Sequence, residues 1–223
     1  MKTHVFVDIG NTNVSWKIND KVNTIVNHKF TFKFFDENSI IWVSKVSNDE
    51  LEHFNRNIFF AESQLQYKEL INSYADSKSL GVDRWLSMIA CYEQNIGKDF
   101  IVIDIGTAVT IDLIDRFGRH QGGLIFPGLE KIRGTFKFNH FGDEVKIADL
   151  GRSTIEAWSS GTLELLTSGL NDIVSKLTKK SPYATIYLTG GGSMRIKEFL
   201  NFPFISKKHL VIDGLEFYAK YMR

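Results

Sequence analysis

The chain has 223 residues, 24% of them charged and 43% hydrophobic, and its 27 Lys and Arg against 26 Asp and Glu leave a net charge of +1. Near-neutrality gives no electrostatic reason to expect nucleic acid or a membrane surface as a partner, and no run of about 20 apolar residues offers a bilayer span. A single cysteine, Cys91, excludes intrachain disulfides and cysteine zinc sites.

The N-terminus, MKTHVFVDIG, lacks the apolar stretch of a signal peptide, so a cytoplasmic protein is expected. Histidines 4, 28, 53, 120, 140 and 209 show no HxH or HxxxH spacing, which argues against a structural histidine metal site. From residue 4 to about 46 the pattern is β-rich, with strands expected at VFVDIG, VSWKIN, FTFKFF and IIWVS. Residues 48–74 are polar, contain no Gly or Pro, and read as helix-compatible. In GVDRWLSMIACYEQN, Val82, Trp85, Leu86 and Ile89 form one buried helical face, stopped by Asn95 and Gly97. Strands follow at DFIVIDIG, TIDLID and GGLIF. A helix is expected over about 153–179, with Leu170, Ile173, Val174 and Leu177 on one stripe. ATIYLTGGG reads as a strand ending in a glycine loop, Met194 to Leu200 as a short helix, LVIDG as a strand, and the remainder as an amphipathic helix.

One phrase occurs twice. VFVDIGNTNV, with Asp8, returns as IVIDIGTAVTIDLI, with Asp104, 104 − 8 = 96 residues later. Each is an apolar strand, an Asp-Ile-Gly turn with Thr close behind, and a second β-compatible run. Either segment alone is compatible with a hairpin whose Asp and Asn serve the turn. Repetition at the head of two halves of similar length points instead to a phosphate clamp. Glycine lets backbone N–H groups approach an anion, Thr and Asn add neutral donors, and a carboxylate beside polyphosphate needs a cation or a hydroxyl to hold. No Walker A, GxGxxG or GxSxG pattern is present.

With DIGNTN at 8–13, GVDRW at 81–85, DIGTAVTIDLI at 104–114, GGLIFPGL at 122–129 and LTGGG at 188–192 in this order, the sequence resembles the type III pantothenate kinases and the Bvg accessory factor proteins of the same family. The resemblance implies an α/β fold of two ribonuclease-H-like, actin-like ATPase domains, expected at 1–98 and 99–223, with a nucleotide cleft between them. It implies transfer of the γ-phosphoryl group of ATP to the pantothenate hydroxyl, giving 4'-phosphopantothenate, the first step of coenzyme A synthesis. Mg²⁺ and a monovalent cation, K⁺ or NH₄⁺, are the implied ions. A homodimer with pantothenate near the subunit interface is the implied assembly.

By matching position, the resemblance assigns Asp8, Ile9, Gly10, Asn11, Thr12, Asn13, Val14 and Ser15 to the first phosphate loop, Thr107 to the phosphates, and Gly190 and Gly191 toward the adenosine. Tyr74, Gly81, Val82, Asp83, Arg84 and Thr154 fall in the pantothenate site, with Asp83 as proton acceptor, and Asp104 holds the monovalent cation. A helix start beside Arg84 favours the carboxylate form of Asp83, a weak base suited to orienting a hydroxyl. The planar Arg84 fork suits either a carboxylate or a phosphate. Two departures stand out: Ser77 replaces a usual proline in YADSKSLG, leaving the Tyr74 loop less stiff, and EKIRGTFKFNHFGDEV matches the family poorly. Two alternatives stay open, another small-molecule kinase of the superfamily and a non-catalytic nucleotide-binding regulator.

Overall fold

The computed structural model describes residues 2–46, 57–135 and 150–222. The chain divides into two compact units: residues 1–97 with 114–122 and 209–223, and residues 98–113 with 123–208. The first holds β1 (His4–Ile9), β2 (Asn13–Ile18), β3 (Lys21–Val26), β4 (Ile40–Lys45) and β5 (Ile58–Phe60) in one sheet of order β3-β2-β1-β4-β5. It also holds a small hairpin, β6 (Gln66–Tyr67) and β7 (Leu70–Ile71), and helices Val82–Tyr92 (α1) and Leu210–Tyr221, the last helix of the chain. A second sheet is built from β8 (Phe100–Ile105), β9 (Ala108–Ile114), β10 (His120–Pro127), β11 (Thr185–Thr189) and β12 (Ile205–Ser206), in the order β10-β9-β8-β11-β12. Helices α2 (Leu129–Arg133), α3 (Thr154–Lys180) and α4 (Ser193–Ile196) complete the second unit, so the closing helix is α5.

The sequence repeat is therefore a repeat of architecture. In each sheet the strand bearing the Asp-Ile-Gly phrase is central, flanked by its following strand on one side and by a parallel strand on the other. Strand alternation decides what each residue faces. Val5, Val7 and Ile9 pack with Val14, Ile41, Val43, Phe32 and Phe35, which leaves Phe6 and Asp8 for the opposite face. In β8, Ile101, Ile103 and Ile105 enter a core with Val109, Ile111 and the α3 stripe Leu163, Leu166, Leu170 and Val174. Ile173 and Leu177 are half-buried against the same core.

Three expected elements come out differently. FTFKFF is not a strand: 3₁₀ turns at Asn27–Lys29 and Phe32–Phe34 fold it so that Phe30, Phe34 and Phe35 surround Trp16 at 5.9–6.1 Å between ring centroids. Gathering the rings into one apolar cluster outweighs the local β preference. Of residues 48–74, those from 57 onward are short strands rather than helix, because Ile58–Phe60 finds a pairing edge on β4; 47–56 lie outside the described residues. LVIDG opens α5 instead of forming a strand. Leu210, Val211, Ile212, Leu215 and Tyr218 are buried, each contributing about 1.5–3 kcal/mol of apolar burial. No helix among the described residues is long and apolar enough to cross a membrane.

The α1–α5 contact is close. A Cβ at Gly214 would stand 1.9 Å from the Leu86 carbonyl oxygen, so the two backbones meet where only glycine fits. Lys17 Nζ donates to Glu216 Oε2 at 2.7 Å and ties α5 to β2. The β6–β7 hairpin is anchored to the end of α1 by Tyr67, whose hydroxyl donates to Glu93 Oε1 at 2.8 Å, and by Tyr92, whose hydroxyl donates to Glu69. Burial, reinforced by the Glu69 bond, pushes the Tyr92 hydroxyl up to about 12; burial and Glu93 push Tyr67 up likewise.

Gly214→Ala should cost about 2–3 kcal/mol through overpacking, read as a Tm lower by about 5 °C or more. For a raised tyrosine pKa, the stabilisation is intact below the unfolded value of about 10 and is lost as pH climbs toward the folded value, because the unfolded chain releases its proton first. Thermal unfolding between pH 9 and 12 should therefore decline, and Tyr92→Phe should decline less steeply than the parent.

Candidate active site

In the first unit, the loop after β1 is held mainly by its backbone. Gly10 N–H donates to the Asn13 carbonyl at 3.0 Å, and Asn27 clamps the turn by donating its Nδ2 to the Gly10 carbonyl at 2.7 Å and its backbone N–H to that of Thr12 at 2.9 Å. Asn11, Thr12 and Asn13 are exposed, as suits side chains offered to a ligand, whereas Ile9 and Val14 are core residues with only backbone to offer. Asp8 is half-buried at the end of β1, in register with Ser15 on β2 and with Ser44 on β4. Ser15 Oγ shares a hydrogen bond with Thr24 Oγ1 at 2.9 Å.

The GVDRW segment forms the start of α1. Gly81 is the N-cap and has no side chain to cap with; Asp83 Oδ1 instead folds back to accept the Arg84 N–H at 2.8 Å. A Cβ on Gly81 would stand 2.6 Å from that oxygen, so a larger residue there would push the Asp83 carboxylate from this position. Val82 is buried and serves the core. Arg84 is only 8% exposed, and its Nη1 donates to the Tyr74 hydroxyl at 2.9 Å. Tyr74 and Gly81 to Arg84 thus form one constellation, as the motif assignment requires.

Tyr74 is braced by a residue the motifs did not single out. Asn72, 2% exposed, accepts the Tyr74 N–H at 3.0 Å and donates to the carbonyls of Gln64 and Ser77 at 3.2 and 3.1 Å. Asp76 caps the following turn by accepting the Lys78 N–H at 3.0 Å. The loop that lacks proline at Ser77 is fixed by hydrogen bonds instead. Asn27 and Asn72 carry no sequence signal beyond a lone asparagine near a loop.

In the second unit, three motif segments meet at the end of β8. Asp104 is half-buried and in register with Thr189 on β11. Gly106 N–H closes the turn on the Ala108 carbonyl at 2.9 Å, and Gly128, from the FPGL segment, donates to the Thr107 carbonyl at 3.0 Å. A Cβ at Gly128 would stand 2.1 Å from the Gly106 carbonyl oxygen. Gly190, at φ +89°, packs its Cα against the same place: a Cβ there would stand 2.3 Å from Asp104 Oδ1 and 2.4 Å from the Ile105 carbonyl oxygen. Gly191 is exposed and open. Thr154 is exposed in the first turn of α3, whose N-cap Ser153 accepts the Glu156 N–H at 3.2 Å while Glu156 Oε2 accepts the Arg152 N–H at 2.8 Å. An apolar groove on the first unit, lined by Ile40, Trp42, Phe59, Tyr218 and Met222 among others, contains none of these motif residues.

A family model described as type III pantothenate kinase matches residues 42–176. A type III pantothenate kinase of Hahella chejuensis is 34% identical over 80% of this chain and 77% of its own. The chain belongs to the type III pantothenate kinase family. A solved protein of Campylobacter jejuni, named as a Baf family transcriptional activator, superposes with a TM-score of 0.64 at 26% identity over 97% of each chain. A Sinorhizobium meliloti protein named as a 2-dehydro-3-deoxygalactonokinase shares the fold alone, with a TM-score of 0.60 at 11% identity over 97% of this chain and 96% of its own. The two-domain α/β nucleotide-binding fold is the one that the motif resemblance implied.

The Gly190 contact separates two neighbouring glycines of the family's LTGGG segment. Gly190→Ala meets both a left-handed backbone and two oxygens, and should cost about 2 kcal/mol or more. Gly191→Ala, in open space, should stay within about 0.5 kcal/mol of the parent. Chemical denaturation of the two variants side by side reads the difference.

Proposed function

We propose that this protein transfers the γ-phosphoryl group of ATP to the hydroxyl of pantothenate, forming 4'-phosphopantothenate, in the cytoplasm and as a homodimer. The observation that carries the reading is the first-unit constellation in a chain of this family: a buried Arg84 guanidinium bonded to the Tyr74 hydroxyl, beside an aspartate folded over the start of α1.

Arg84 and Tyr74 bind the pantothenate carboxylate, the planar guanidinium supplying the fork that this group fits. Asp83 accepts a hydrogen bond from the substrate hydroxyl, aligns its oxygen, and takes the proton as the new O–P bond forms and the bond from the γ-phosphorus to the β,γ-bridging oxygen breaks, releasing ADP. Phosphoryl transfer proceeds through a loose transition state, so alignment and charge neutralisation matter more than base strength. The N–H groups of residues 9–15 and Thr107 hold the phosphates, Gly190 turns the chain so that the open Gly191 leaves room toward the adenosine, and Thr154 contacts the acceptor.

Two ions fit the residues present. Among the described residues no three His, Cys, Asp or Glu side chains gather into a metal cluster, so Mg²⁺ is suited to arrive with the nucleotide, with Asp8 as a carboxylate toward it or its water. Bound there, Mg²⁺ would neutralise charge on the phosphate oxygens. Asp104, a half-buried carboxylate at the end of β8, is the group offered to the monovalent cation, K⁺ or NH₄⁺, its negative charge being what either would neutralise. A nucleotide-binding regulator is the second reading, favoured by the name of the Campylobacter jejuni relative.

ADP release with Mg-ATP, measured with and without pantothenate in sodium and then potassium or ammonium buffer, tests the reaction and its ions. Pantothenate-dependent turnover that needs potassium or ammonium is expected, and Asp83→Ala should lower kcat by about 10² or more. A folded protein that binds ATP and stays silent in every buffer would favour another acceptor or the regulator.

A further inference from the structure

His120 opens β10, yet it sits within the first unit beside the Tyr74 loop. Its placement is built. Ile71 pairs with Arg119, the Ile71 N–H donates to the Gly118 carbonyl at 2.8 Å, and Gly118, at φ +76°, lies so close to Glu69 that a Cβ would stand 2.4 Å from that carbonyl oxygen. Asp115 Oδ1 holds the preceding turn by accepting the N–H groups of Phe117 and Arg119, each at 2.9 Å. The residue delivered by this arrangement is only 2% exposed. Its ring stacks on Tyr74 with centroids 5.9 Å apart and planes 14° from parallel, and its Nδ1 shares a hydrogen bond with Ser73 Oγ at 3.2 Å.

We propose that His120 is a positioning residue of the pantothenate pocket: its stacked ring holds Tyr74, and through the Tyr74 hydroxyl the Arg84 guanidinium, in the orientation that grips the substrate carboxylate. The inference rests on the kinase reading and extends it to a residue outside the motifs. Tyr74 lies on a loop, and its hydroxyl can direct Arg84 only if the ring is held from turning. Asn72 fixes the backbone beneath that ring, but a backbone bond leaves the side-chain torsions free. The flat face of His120 removes that freedom, as offset aromatic pairs do. In a loop with serine at position 77, the stiffness that a proline would lend the chain is replaced by a stack at the tyrosine itself.

The test is steady-state kinetics of the full-length protein and of His120→Ala and His120→Phe. His120→Ala should raise the KM for pantothenate about five-fold or more while leaving the KM for ATP and kcat within about two-fold. His120→Phe, which keeps a flat ring but not the Ser73 bond, should recover most of the loss. An unchanged pantothenate KM in His120→Ala overturns the proposal, and so does an equal rise in both KM values, which marks a general disturbance. If His120→Ala does not fold, a pantothenate KM in His120→Phe within about three-fold of the parent supports the stacking role, and a larger rise overturns it. A parent protein that leaves pantothenate unphosphorylated overturns the kinase reading and this inference with it.

Discussion

A carboxylate at the end of a central strand, with the chain turning immediately behind it, is the constraint on which the rest depends. The strand must be fully paired to be rigid, so the carboxylate cannot move to suit a ligand; the surrounding backbone must come to it. In the second unit this brings two other segments against the strand end and the turn behind it, and at each contact the side chain is missing: Gly128 and Gly190. In the first unit the turn carries one more residue before the next strand and is secured by Asn27 rather than by neighbouring glycines. The same device is thus built twice with different supports. A hydroxyl residue stands across the parallel partner strand each time, Ser44 beside Asp8 and Thr189 beside Asp104.

What was legible in the sequence is what repeats locally. Alternation in VFVDI and FIVIDI, the Val82–Ile89 stripe and the long period of α3 all report faces that a segment presents within its own length, and the structure has them there. The strands of 58–71 were not legible, because an edge strand of three residues exists only through its partner. Nor was FTFKFF, whose alternating rings read as a strand until Trp16 is placed among them. LVIDG has the composition of a strand, and only the approach of Gly214 to Leu86 shows why it is a helix.

The motif residues were legible for the same reason that their supports were not. GVDRW is contiguous, and the Asp83–Arg84 backbone bond joins adjacent positions. Asn27 reaches back 17 residues to Gly10, and Ser73 meets His120 across 47. A single asparagine or histidine whose partner is that distant leaves no periodic trace. Buried polar side chains with satisfied bonds are costly to misplace, so such residues fix geometry strongly while remaining inconspicuous in the chain.

The seating of α5 on α1 bears on the order in which the protein is made. The first unit includes residues 209–223, whereas the second ends at 208. During synthesis the sheet of the first unit emerges before the second unit, but the apolar face of α1, with Trp85, Leu86 and Ile89 wholly buried in the finished molecule, has no covering helix until α5, Leu210–Tyr221, is made. The second unit has its full sequence sooner. The unit whose sheet is made first is therefore the one that completes folding after the other, with an exposed helix face in the interval, a stage at which a nascent chain is open to chaperone binding or misassociation.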